Sequence, residues 1–100
     1  MKPEFQNLLL TIARDAILKR LDKTETDLPE QLPSELLEKR ATFVTLEIGG
    51  QLRGCIGMLE ACRPLAEDVA QNAIAAAFND PRFPPVSRAE FEWLEIHISI

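Results

Sequence analysis

The sequence predicts an α+β domain in which an antiparallel sheet is packed by two helices. Three observations lead there. Apolar residues recur at intervals of three and four near the start of the chain. Two strand-like runs are separated only by Gly49-Gly50. Leu94 to Ile100 then alternates apolar and polar residues.

Phe5, Leu8, Leu9, Ile12, Ala13, Ala16 and Ile17 form one stripe of a helix over about 3–21. Pro3 fits its first turn, where a missing N–H costs no helical bond, and Lys19-Arg20 fit the negative end of the dipole. Asp15 and Lys19 are spaced to pair across one turn. Residues 22–33 have the composition of a loop, with Leu28 and Leu32 as anchors, and residues 33–38 have room for one helical turn.

Thr42 to Ile48 reads as a strand, rich in Phe, Val, Thr and Ile. Gly49-Gly50 supply positive φ at both central positions of a two-residue turn, so a hairpin spans about 42–58. An uninterrupted register sets Ile48 opposite Gln51, Leu46 opposite Arg53 and Val44 opposite Cys55. Arg53 and Cys55 then share a face with Val44 and Leu46. Leu52, Gly54 and Ile56 share the other with Phe43, Thr45 and Glu47.

Pro64 opens a second helix over about 65–79, with Glu67 and Asp68 in its positive first turn. Leu65, Val69, Ala73 and Ala76 form its ridge, and Ala66, Ala70 and Ala77 keep it thin enough for close approach. Asn72 sits at the ridge's edge, where a half-buried amide needs partners. Asn79 suits a left-handed cap and Pro81 forbids continuation. Asp80–Pro85 is a stiff turn holding three prolines. Ser87 and Glu90 have capping-box spacing for a short helix, and a third strand covers about 94–100.

One hundred residues are enough for a single domain, 1–100, with one modest core. A net charge of −5 argues against general nucleic-acid binding, which draws on a basic footprint. Cys55 and Cys62 are too few for a disulfide framework and match no zinc pattern. No apolar run approaches the ~20 residues of a membrane span. Met1-Lys2-Pro3-Glu4 meets an acid at once and lacks a signal-peptide pattern, so no leader is expected. The expected setting is the reducing cytoplasm.

Leu52-Arg53-Gly54-Cys55-Ile56-Gly57 concentrates the candidate chemistry. Cys55 reads as a nucleophile, redox thiol or metal-contacting thiolate, with Arg53 two positions away to favour the thiolate. The reading favoured by the residues alone is a small residue packed against Val44, because free cysteines are commonly buried and a nucleophilic one wants an adjacent base. Arg53 is either an anion-binding cation or the partner of an acid such as Asp80. Gly54 and Gly57 leave room either for a ligand at the backbone or for the alanine-rich helix. Arg82, on the proline turn, either clamps an anion or pins the turn. Trp93 and His97 read as structural and solvated residues respectively.

Phe43-Val44-Thr45-Leu46, the LRGCIG motif at 52–57, Asn72-Ala73 with Ala76-Ala77-Phe78, and Asp80-Pro81-Arg82-Phe83-Pro84-Pro85 together resemble the AMMECR domain family. Some members of that family are called AmmeMemoRadiSam system protein A. The resemblance runs from the first helix to Ile100. It implies that the chain is a partial domain, since the family's fold continues with further strands and helices. It implies no role for Cys62 or His97 and identifies no cofactor. It implies Memo-like and radical-SAM partners, hence an accessory or substrate-binding component. Two other functions stand beside this one. The first is a cysteine-dependent enzyme with catalytic Cys55 and with Arg53, Gly54, Gly57, Asn72, Asp80 and Arg82 around its ligand. The second is a non-catalytic interaction scaffold. A sheet edge left uncovered by the absent part is expected to drive self-association.

Overall fold

The computed structural model describes residues 1–100. In chain order it has α1 (Pro3–Leu21), a 3-10 turn (Ser34–Leu37), β1 (Phe43–Ile48), β2 (Gln51–Gly57), α2 (Leu65–Phe78), α3 (Arg88–Phe91) and β3 (Glu95–Ser99). The strands form one antiparallel sheet in the order β2-β1-β3. The expected α+β architecture holds, with each expected helix and strand in place.

Helix α2 lies on the inner face of the sheet, against β1 and β2, and α1 packs on α2 and reaches β3. The alanine ridge makes this close stacking physical, because Ala66, Ala70, Ala73, Ala76 and Ala77 are all buried. The core joins them to Leu9, Ile12, Ala13, Ala16 and Ile17 of α1 and to Val44 and Leu46 of β1. Leu28 and Leu32 pack against it and hold down the long loop. Asp15 and Lys19 form none of the ion pairs.

The hairpin turn has φ of 57° at Gly49 and 78° at Gly50, as a primed two-residue turn requires. The register beyond it differs from the uninterrupted ladder. Glu47 pairs with Leu52, but Leu46 pairs with Gly54, so Arg53 is the extra residue of a β-bulge. Cys55 therefore faces Thr45 rather than Val44. The inner face carries Val44, Leu46, Gly54, Ile56, Ile96 and Ile98. The outer face carries Phe43, Thr45, Glu47, Leu52, Cys55, Gly57, Glu95, His97 and Ser99, none of them fully buried. Gly54 explains the slip. A Cβ there would collide with the backbone carbonyl of Ala76, so the bulge brings the one residue without a side chain to the point where α2 touches the sheet.

Helix α2 does not end in a left-handed cap. Asn79 has φ −126°, and its N–H still bonds the carbonyl of Ala75. Pro81 is thus sufficient to stop the helix. The capping box at Ser87 is complete, with Ser87 and Glu90 each bonding the other's backbone N–H.

Candidate functional site

The bulge turns Arg53 off the ladder and towards the segment after α2. Its Nε donates to Glu90 Oε2 at 2.8 Å and its Nη2 to Glu90 Oε1 at 3.1 Å, a two-point fork. Nη2 also donates to the Pro84 carbonyl at 2.8 Å. Nη1 is buried without a partner. The pairing acid is Glu90, not Asp80. Glu90 also accepts from the backbone N–H of Ser87 at 3.1 Å, so one carboxylate caps α3 and ties it to β2. Together, Arg53 first and the Ser87 N–H second hold its carboxyl down at about 2.

Asp80 forms a second tie. It is 4% exposed, and its Oδ2 accepts the backbone N–H of Cys55 at 3.0 Å. Arg82 donates to the same carboxylate from Nε at 3.0 Å, from Nη2 at 2.8 Å and from its own backbone N–H at 3.1 Å. The Arg82 guanidinium, followed by the Cys55 N–H, holds the Asp80 carboxyl well below the usual carboxylate range, and Asp80 in turn raises Arg82. Arg82 also reaches the Cys55 carbonyl at 3.4 Å. Phe83 lies between the two cations, its ring centroid 5.8 Å from Arg53 and 5.5 Å from Arg82. The stiffness of the proline turn fits this task, since Pro84 presents a carbonyl to Arg53 while Asp80 and Arg82 grip the strand.

Cys55 is half-buried on the outer face, its Sγ 3.2 Å from Thr45 Oγ1. Gly57 faces the Phe43 ring and the Thr42 carbonyl rather than α2, so only one of the two glycines serves the helix contact.

A third network lies beside Gly57. Asp68 is fully buried on α2 and accepts from Arg63 Nε at 2.6 Å and from Thr42 Oγ1 at 2.6 Å. Asn72, 2% exposed, donates to the Thr42 carbonyl at 3.1 Å and to Asp68 Oδ2 at 3.1 Å, and its own carbonyl accepts from Arg63 at 3.1 Å. The need for partners at Asn72 is met in full.

The structure thus brings Cys55, Asp80 and Arg82 together and links them to Arg53 through Phe83. Gly54 sits under α2, and Asn72 belongs to a separate buried cluster. None of these lines the main cavity, which has a volume of about 710 Å³. That cavity opens between the start of α1, the 3-10 turn and β3, lined by Phe5, Leu9, Arg40, Ile96 and Ile98 among others. Sequence reasoning missed Glu90, Thr42, Arg63 and Asp68. Glu90 and Asp68 had sufficient local explanations, as a cap and as a dipole partner, and nothing in their spacing shows the arginines they meet.

The fold and motif define a small α+β domain in which a bulged hairpin is locked onto a proline turn. The chain belongs to the AMMECR1 family, whose sequence profile matches residues 10–100. It is 43% identical over 93 residues to a protein of Methanothermobacter thermautotrophicus, covering 92% of this chain and 48% of the relative. It is 40% identical over 106 residues to one of Thermococcus onnurineus, covering 100% of this chain and 52% of the relative. The crystal structure of the uncharacterized protein PH0010 from Pyrococcus horikoshii superposes with a TM-score of 0.93 at 39% identity, over 99% of this chain and 52% of that one. The chain spans about half the length of the relatives it matches. No helix is long and apolar enough to cross a membrane.

Proposed function

We propose that this domain is a binding component for a partner protein rather than a cysteine-dependent enzyme, the partners being the Memo-like and radical-SAM proteins that the family resemblance implies. One observation carries the reading. The groups that would serve Cys55 chemically are spent inside the fold, with Arg53 on Glu90 and Pro84, and Arg82 on Asp80. The motif's polar groups therefore work as a joint. What they leave available is the outer face of the sheet, where Phe43 and Leu52 are exposed apolar residues on rigid strands. An exposed mixed face of this kind suits docking.

Co-expression of the tagged chain with the Memo-like and radical-SAM proteins of one organism tests this. Recovery of either partner, lost on Phe43→Asp, supports the reading. Recovery of neither overturns it.

The enzyme reading keeps one favourable observation, the half-buried Sγ of Cys55 beside a hydroxyl. Thiol labelling of Cys55 against Cys62 separates it from the binding reading.

A further inference from the structure

The outer face carries a group that none of the three networks uses. Glu47 on β1 and Glu95 on β3 are direct cross-strand partners, and His97 lies two residues along β3, opposite Thr45. All three side chains project from the same face of the sheet. His97 Nε2 is 2.8 Å from Glu47 Oε1, and one donor atom from each of the three residues lies within 4.8 Å of the other two. Glu95 has no ion-pair partner of its own. Two carboxylates directly opposite on a ladder repel, in a chain that already carries a net charge of −5.

We propose that Glu47, Glu95 and His97 form a three-ligand site for a divalent transition-metal cation such as Zn2+ or Co2+. The geometry permits it. Ligand bonds of about 2.0–2.2 Å put tetrahedral donors about 3.3–3.6 Å apart. Gathering atoms already within 4.8 Å takes rotation of side chains and no movement of strands. The donor set fixes the class of ion, because an imidazole nitrogen favours zinc-like cations over the all-oxygen preferences of Mg2+ and Ca2+. Two carboxylates neutralise the ion's charge, and the cation removes the repulsion between Glu47 and Glu95. Side chains on adjacent strands are held more firmly than loop ligands, so the fold prepays part of the ordering cost. Three protein ligands leave a fourth position open to water or to a group on a bound partner. The sequence hid this triad because Glu47 belongs to β1 while Glu95 and His97 belong to β3, and only the β1–β3 register joins them.

His97 is the chain's single histidine, so its imidazole resonances report on the site directly. Titration of Zn2+ into the Cys62→Ser chain, followed by NMR, is expected to shift the His97 ring signals to saturation at one equivalent. Co2+ is expected to give a ligand-field spectrum without the intense near-ultraviolet band of a cobalt–thiolate bond. Losing a group that only orients a metal ligand costs about 10–100-fold in affinity. His97→Ala and Glu95→Gln, both exposed substitutions checked for fold by circular dichroism, are therefore each expected to weaken binding at least tenfold. Three results overturn the proposal: no saturable binding, unchanged affinity in both variants, or a thiolate band with the His97 signals unmoved.

Discussion

Arg53 and Glu90 meet as a two-point fork across 37 residues of chain, with Arg53 standing out of the β2 ladder as the extra residue of a bulge. The bulge and the ion pair explain each other. An arginine in register would project from one face of the sheet, whereas the bulged one turns sideways to the end of α3. This relationship has a pH signature. Glu90 titrates at about 2 in the fold, against an ordinary 4.5. A carboxyl depressed in the folded state stabilises it above the unfolded value, and that contribution disappears as pH falls through the folded one. Asp80, depressed in the same direction, adds to the effect. Thermal stability is expected to be flat above about pH 5 and to fall between about pH 4.5 and 2. With Glu90 36% exposed, its share is about 1 kcal/mol after solvent screening. Melting curves of Glu90→Gln across this range should show a shallower acid slope, and an unchanged slope would remove Glu90 from the account.

Gly54→Ala is expected to destabilise the joint between the hairpin and α2. Its Cβ would strike the carbonyl oxygen of Ala76, a backbone atom that cannot rotate away. Overpacking of this kind costs about 1–3 kcal/mol. Adding Ala76→Gly should give no rescue, because the obstacle is not the alanine side chain. Recovery of the melting temperature in the double variant would mean that the helix is free to shift and that the contact is not tight.

The Thr42–Arg63–Asp68–Asn72 cluster predicts an asymmetry. Asp68 is 1% exposed and Arg63 28% exposed. Arg63→Ala strands a buried carboxylate, and breaking a buried pair this way costs about 3–5 kcal/mol. Asp68→Asn removes the charge that needs compensating while keeping a group able to hydrogen-bond. In the Asp68→Asn background, removal of Arg63 should therefore cost much less. A urea double-mutant cycle measures the coupling, and strictly additive losses would show that Arg63 and Asp68 act independently.

The same contrasts show what was legible in the sequence. Helices, strands and the Gly49-Gly50 turn follow from local periodicity and from residues with restricted or unusual φ, and all are where they were expected. The bulge was not legible, because a two-residue turn fixes register only until an extra residue enters, and that residue is decided by contact between Gly54 and a helix that follows in the chain. The partners of Arg53 were hidden for a related reason. Asp80 and Glu90 were both available acids, and only the path of the proline turn decides that Asp80 takes Arg82 and Cys55 while Glu90 takes Arg53. The inward ridge of α2 and the need of Asn72 for partners, by contrast, followed from helical spacing alone, although Asn72 is fully buried rather than half-buried at the ridge's edge.

Cys55 and Cys62 give the test that divides the functional readings. Cys62 is exposed, whereas Cys55 is half-buried, with its amide bonded to Asp80 and its thiol beside Thr45. Thiolate reactivity follows exposure together with an electropositive setting, and Arg82, which reaches the Cys55 carbonyl, is already engaged with Asp80. If the motif is a joint, iodoacetamide at neutral pH modifies Cys62 first, and Cys55 reacts appreciably only on unfolding. Arg82→Ala should then speed labelling of Cys55, because releasing Asp80 from Arg82 loosens the grip of the proline turn on β2. An activated nucleophile reverses both expectations: Cys55 labels ahead of Cys62 with a depressed apparent pKa, and removal of Arg82 slows it. Peptide-resolved mass spectrometry over a time course distinguishes the two orders. Rapid, Arg82-dependent labelling of Cys55 in the folded chain would sink the binding-component reading and restore the enzyme one.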